Sequence, residues 1–477
     1  MYRKTQRAQI SFEDFVLPFS GQLSRDNRWV KLAELMPWDE IEEKYASLFT
    51  SKTGNVAKPA RMAIGSLIIK EKQNYTDQET VEQITENPYL QYFIGLKEFS
   101  TETPFDPSLM TYFRKRVTPE MLKEINEMIY KDNDKKAPTG GDKDNPNTGK
   151  LILDATVAPA DIRYPTDLSL LNEAREKSEK IIDILYQDLP GIIDKPRTYR
   201  QKARNQYLSL AKQKKAKKKK IRNGIKKQLG YLKRNLKSIN FLLLLYPENP
   251  LTIKQQETLA VIQELYRQQQ HMYDNNIHTV ENRIVSISQP HVRPIVRGKA
   301  GTSTEFGAKL AISLVNGFAF LDILQWVNFN EGTTLKESVE RYKERYGCYP
   351  EVVIADKIYR NRENISYCKE LGIRISGSKL GRKNEEIKAK EKAIAKADGK
   401  ERNAVEGKIG EGKRRYGLDL IMARLRETSE TEINLQFLVM NLEHCLRIHF
   451  VLFSRTIFSL FKEHDLAPKE QKFALAA

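Results

Sequence analysis

The chain is poor in the residues that would mark a secreted, membrane-bound or soft-metal protein. Its 477 residues hold three cysteines, Cys348, Cys368 and Cys445. Odd in number, widely spaced and without a CxxC pair, they argue against a disulfide framework and a zinc site and read as reduced core residues. The six histidines form no obvious metal or triad spacing. The longest apolar runs, such as FLLLLY at 241–246, fall far short of the ~20 residues that cross a bilayer. The opening MYRKTQRAQI lacks the apolar core of a signal peptide. The expectation is an intracellular protein with no membrane partner.

Acid is absent from one long segment. Between Lys195 and Lys237, 18 of the 80 Lys and Arg residues occur without a single Asp or Glu. The chain has 62 acidic residues and a formal net charge of +18, so the whole excess lies in that segment. A concentrated basic stripe is the footprint of a nucleic-acid binder, because phosphate contacts release counterions. A solvated charge run has the same composition, and both readings stay open. An anionic membrane surface fits less well, since no apolar face rich in Trp or Phe lies beside the charges.

What is present suggests about three domains, at roughly 150 residues each. Residues 58–130 read as a compact helical unit: RMAIGSLIIK is apolar at helical spacing, Thr76 and Glu79 form a capping box, and a third helix covers about 88–95. Asp106 and Pro107 then open a helix that ends in Arg114, Lys115 and Arg116. Short helices closing on a basic one suit a helix-turn-helix module, and equally a small bundle with a solvated face. Residues 132–149, DNDKKAPTGGDKDNPNTG, read as a linker.

Beyond it, KLILDATVAPADI and EVVIADKIY each run from apolar residues to an aspartate, Asp154 and Asp356, expected at the ends of two buried strands. Between them lies a helical tract over about 167–285, with Ile221, Ile225, Leu229, Leu232 and Leu236 at helical spacing. Pro247 and Pro250 break the tract, which predicts an antiparallel hairpin. FGAKLAISLVNGFAFLDILQWVNF reads as two strands around Asn316–Gly317, followed by helix, strand, helix and strand up to IRISGS. The pattern is an α/β sheet interrupted by a helical insertion after its first strand.

Phosphodiester cleavage without a protein nucleophile needs an activated water and a neutralised leaving oxygen, and two divalent ions supply both. Mg²⁺ takes oxygen ligands, so such a site needs carboxylates. Asp154, Asp356 and Glu406 suit it, although any one strand-end aspartate also suits a cap. In a helix, Arg402, Glu406 and Lys413 share one face. Gly407, Gly410 and Gly412 each cost about 1 kcal/mol there relative to Ala, so a locally irregular helix is expected. Glu411 points to a different face, and Asp161 and Asp167 read as supporting or structural acids.

At these residues the chain resembles the DDE transposases of bacterial insertion sequences, in the group around insertion-sequence families four and five. That signature reads Tyr, two residues, Arg, three residues, Glu, six residues, Lys, and Arg402, Glu406 and Lys413 match it with Gly399 in the Tyr position. The likeness extends to LILDAT, to RPIVRGKAGTSTEFGAKLAISLVNG, to VVIADKIYRNREN with Ile358 in place of a Gly, and to NPYLQYFIGL and FDPSLMTYFRKR.

The resemblance implies an RNase H-like catalytic core interrupted by a long helical insertion, with an all-helical N-terminal DNA-binding domain. Expected bounds are 1–131 for that domain, 132–149 for the linker, 150–166 and 286–455 for the core, 167–285 for the basic insertion and 456–477 for a tail. It also implies Mg²⁺ or Mn²⁺, as two ions on Asp154, Asp356 and Glu406, cleavage at terminal inverted repeats and strand transfer. Arg402, Lys413, Arg114, Lys115, Arg116 and Lys217, Lys218, Lys219 and Lys220 would contact double-stranded DNA, in a homodimer or higher assembly at the nucleoid. Two alternatives keep the fold: an inactive or domesticated DNA-binding protein, and a nuclease without strand transfer.

Overall fold

The computed structural model describes residues 1–5, 8–50, 53–133, 138, 146–189, 191–296, 304–377 and 385–465. Most of the expected linker, residues 297–303 of the RPIVRGKAGTSTEFGAKLAISLVNG run, and residues 466–477 of the expected tail lie outside them.

Helices α1 (Arg28–Leu35) and α2 (Trp38–Ser47) precede α3 (Ala60–Gln73), which is buried without a break from Ala60 to Ile69. A helix covered on all sides is a core element. Its one buried cation, Arg61, donates to three carbonyls, of Phe93, Ala8 and Tyr92, at 2.8–3.0 Å. Helix α3 stops at Asn74, whose φ of +56° is left-handed. Helix α4 (Asp77–Glu86) opens on the expected capping box, in which Thr76 Oγ1 accepts from the Glu79 N–H and the Glu79 carboxylate from the Thr76 N–H. Helices α5 (Pro88–Phe93), α6 (Leu109–Arg116) and α7 (Pro119–Asn133) follow. Helix α6 begins later than expected, because Asp106 caps a turn instead, accepting from the Ser108 N–H at 2.9 Å.

Strand β1 (Lys150–Pro159) is separated from β2 (Arg293–Val296) by α8 (Asp167–Tyr186), α9 (Arg200–Ala211), α10 (Lys218–Leu243) and α11 (Ile253–Asn275). These helices close on their own apolar core, which includes Leu171, Ile182, Leu232, Ile239 and Ile262. Of the predicted stripe on α10, Leu229 and Leu232 are buried while Ile221 faces out. Pro247 and Pro250 fall in the gap between α10 and α11, as their missing N–H donors require.

Strands β3 (Thr304–Val315) and β4 (Phe318–Gln325) meet at Asn316 and Gly317, both with positive φ, the conformation that a two-residue hairpin needs. Helices α12 (Leu335–Tyr346) and α13 (Arg362–Glu370) carry the chain over to β5 (Val352–Ile354) and β6 (Arg374–Ile375). The sheet order is β2-β3-β1-β5-β6, with β4 also on β3. β3 is antiparallel to β1, while β5 and β6 run parallel. This mixed α/β arrangement fits an RNase H-like core.

The long helices α14 (Glu385–Arg415) and α15 (Arg426–Asp465) complete the described chain. One apolar cluster joins α1 to α7 with the sheet and α15, through Ile64, Phe93, Ile129, Leu153, Phe320 and Phe437 among others. The three cysteines are buried, as expected. Among the described residues no helix is long and apolar enough to cross a membrane.

Asp322 on β4 is buried and accepts from Ser313 Oγ at 3.0 Å. Burial pushes its pKa up to about 6. A carboxyl whose folded pKa is raised adds stability below its ordinary range and loses it as pH climbs through the folded value. Asp322→Asn is therefore expected to be more stable than the wild type at pH 8, by on the order of 2 kcal/mol, and to lose that advantage by pH 4. Thermal unfolding at both pH values measures it.

Candidate active site

Parallel pairing sets two aspartates level. Lys150, Leu151 and Ile152 of β1 lie opposite Val352, Val353 and Ile354 of β5. Asp154 and Asp356 each come two residues past the last rung, on the same side of their strands by the period of two. Asp154 differs from the expectation of a strand end, because β1 continues to Pro159 along β3, with Asp154 opposite Ile312. It is the short partner β5 that ends and leaves Asp154 open on that side. Asp356 does lie past its strand, where its carboxylate caps a 3-10 turn by accepting from the Lys357 N–H at 2.6 Å.

Helix α14 brings the third acid. It lies along the same side of β1: Lys150 pairs with Glu401 at 2.7 Å, and Arg374 of β6 holds Asp398 in two bonds of 2.7 and 2.9 Å. Val405 is fully buried beneath it. The expected irregularity is absent, since α14 is continuous through all four glycines. A Cβ at Gly399 or Gly407 would meet nothing within 4 Å, whereas at Gly412 it would approach Met440 Sδ to 2.9 Å and Leu418 Cδ2 to 3.2 Å. Gly412 thus lets α14 close on α15, and packing outweighs the helix cost of that glycine.

Arg402 joins two of the acids. One nitrogen of its guanidinium is 3.0 Å from Asp356 Oδ1, and another donates to Glu406 Oε1 at 2.6 Å. Burial raises the pKa of Asp154, the charges of Glu331 and Glu406 add to the rise, and the Ala155 N–H and Arg402 oppose it. The Glu406 hydrogen bond, with the charges of Asp356, Glu406 and Asp154, keeps the guanidinium firmly protonated. Among the described residues no three Asp, Glu, His or Cys side chains form a ready-made group for one ion. The donor set nevertheless suits a hard divalent ion: three carboxylates, no thiol or imidazole, and a cation already between two of them.

Glu331 was not anticipated. It enters on a 3-10 turn after β4 and pairs with the buried Lys309 at 3.2 Å. Neither its spacing nor its neighbours in the chain mark it, since its partner lies on β3.

The expected DNA contacts separate into two kinds. Lys115 and Lys217 to Lys220 are exposed, the latter four at the start of α10. Arg114 is instead engaged inside the fold, gripping Asp77 with two bonds of 2.6 and 2.7 Å, and Arg116 lies 4.3 Å from the Phe49 ring. Lys413 is on the Arg402 side of α14, seven residues on from Glu406. Glu411 faces away and pairs with Arg447 at 2.8 Å, while Asp167 accepts from Arg283 at 2.6 Å.

Residues 353–443 match the family described as Transposase DDE domain, which takes in Asp356, Arg402, Glu406 and Lys413. Residues 18–116 match the family described as Transposase domain (DUF772). An uncharacterized protein, ORF8 in the nfe locus of Rhizobium meliloti, is 34% identical over 145 residues, which are 30% of this chain and 68% of that protein. No solved structure matches the chain.

Because Arg114 is held by Asp77, Arg114→Ala is expected to cost on the order of 1–2 kcal/mol of stability, with Lys115→Ala nearly neutral. Chemical denaturation of the two variants separates them.

Proposed function

We propose that this chain, which belongs to the DDE transposases of bacterial insertion sequences, cuts DNA at the terminal inverted repeats of its element and joins the freed end to target DNA. Water would attack the phosphate at the element end, breaking the P–O3′ bond and leaving a 3′ hydroxyl. That hydroxyl would attack a target phosphate and displace its 3′ oxygen. The observation that carries this reading is the bridge that Arg402 of α14 makes between Asp356 and Glu406, with Asp154 level with Asp356 two residues past the shared rung of β1 and β5.

Asp154, Asp356 and Glu406 would hold two divalent ions, Mg²⁺ or Mn²⁺. Bound there, such ions activate the attacking oxygen and neutralise the leaving one. The chain's own part is rigidity and placement. Asp154 is fixed within a strand by its bond from the Ala155 N–H at 2.8 Å, Asp356 by its turn, and Glu406 by a helix pinned at Asp398 and Glu401. Arg402 and Lys413 would orient phosphates beside the acids.

The helices between β1 and β2 would act as a DNA clamp and the N-terminal helices as the reader of the element end, working as a homodimer or higher assembly at the nucleoid. Lys217 to Lys220 support the clamp. Lysines at the positive end of a helix destabilise it, and a phosphate there relieves both charges. Such contacts add affinity without reading sequence.

Purified protein with Mg²⁺ or Mn²⁺ should nick DNA carrying its own element end, while Glu406→Gln should bind the same DNA and leave it whole. Undiminished cutting by that variant would remove Glu406 from the site. Replacing Lys217 to Lys220 by Ala should weaken all DNA alike and flatten the slope of log affinity against log salt by about 0.9 for each phosphate no longer neutralised. A salt titration of binding measures this.

A further inference from the structure

We infer that Arg402 serves as the resident cation of the acidic site before divalent ions bind, and that metal binding displaces its guanidinium. The inference rests on the proposed reading of Asp154, Asp356 and Glu406 as metal ligands. It concerns how that site is kept in order when empty of metal and what must happen as it fills.

Asp356 on the turn after β5 and Glu406 on α14 are held by one guanidinium and so face each other as like charges, with Asp154 level with Asp356 on the neighbouring strand. The charge that offsets them comes from α14 itself, one helical turn before Glu406: the guanidinium spans Asp356 Oδ1 at 3.0 Å and Glu406 Oε1 at 2.6 Å. Its planar fork is suited to this, because it presents separate N–H groups to separate oxygens.

A divalent ion competes for the same lone pairs. Mg²⁺ sits about 2.1 Å from its oxygens, so an oxygen that takes the ion gives up its guanidinium N–H, and the two cations repel at close range. Arg402 is only partly covered, with its side chain 33% exposed, and so has room to turn outward. There the same fork pairs with phosphate as readily as with carboxylate. One side chain thus exchanges acid for phosphate as metal and DNA arrive, and each ligand favours the other.

The test is Mn²⁺ binding to DNA-free protein, followed by calorimetry, for the wild type, Arg402→Gln, Arg402→Lys and Glu406→Gln. Arg402→Gln should bind Mn²⁺ about tenfold more tightly, and Arg402→Lys, which keeps the charge, should stay near the wild type. DNA should tighten Mn²⁺ binding in the wild type and not in Arg402→Gln. Unchanged or weaker binding by Arg402→Gln overturns the inference, as does equal tightening by both Arg402 variants. If Arg402→Gln misfolds by circular dichroism, Arg402→Met, neutral and of similar reach, takes its place. Glu406→Gln separates the two levels: should it bind Mn²⁺ as the wild type does, the metal-site reading fails and the inference with it. Should Glu406→Gln lose the ion while the Arg402 variants bind unchanged, the inference alone falls.

Discussion

The parallel rung between Ile152 and Ile354 is the constraint on which the proposed site depends. Shifting β5 by one residue against β1 would turn its aspartate to the opposite face of the sheet, because strand side chains alternate. The register is protected by what flanks it. β1 is held by β3 along all but its first two residues, from Ile152 opposite Leu314 to Pro159 opposite Gly307, and Gly307 is required there. A Cβ at Gly307 would come within 2.0 Å of the Ala158 carbonyl. β5 is only three residues long, and that brevity leaves Asp154 uncovered on the side where Asp356 and α14 arrive.

The third acid depends on a different class of force. Glu406 is placed by the pose of a 31-residue helix, and that pose is fixed at several points by ion pairs and packing: Arg374 to Asp398, Lys150 to Glu401, Val405 in the core, Gly412 against Met440. These contacts recur at spacings of three, four and seven residues, as one face of a helix must. Glu406 sits at the edge of that face, near enough to share Arg402 with Asp356 and still half exposed. A helix side chain here completes a constellation begun by the sheet.

Much of this was legible from local pattern. The capping box at Thr76, the hairpin at Asn316 and Gly317, the strand before Asp356 and the face shared by Arg402 and Glu406 all follow from neighbours in the chain. What escaped has partners far away in sequence. Arg114 looks like a free cation until Asp77, 37 residues earlier, is brought beside it. Asp154 looks like a strand end because the apolar run before it stops, whereas the strand continues on pairing with β3. Gly412 looks like a defect until α15 lies on it, and Glu331 has no local signature.

The charge distribution ties the two halves of the molecule together. The entire positive excess lies in a bundle whose apolar core is separate from the one shared by the N-terminal helices and the sheet, so the bundle's surface charge can be set without cost to the packing around the acids. Around the acids the opposite condition holds. There the guanidinium of Arg402 lies between Asp356 and Glu406, and Lys309 pairs with Glu331, so charge and packing are set by the same residues. On the proposed reading the basic segment and the three acids divide the work by charge, the first facing phosphate and the second facing metal ions.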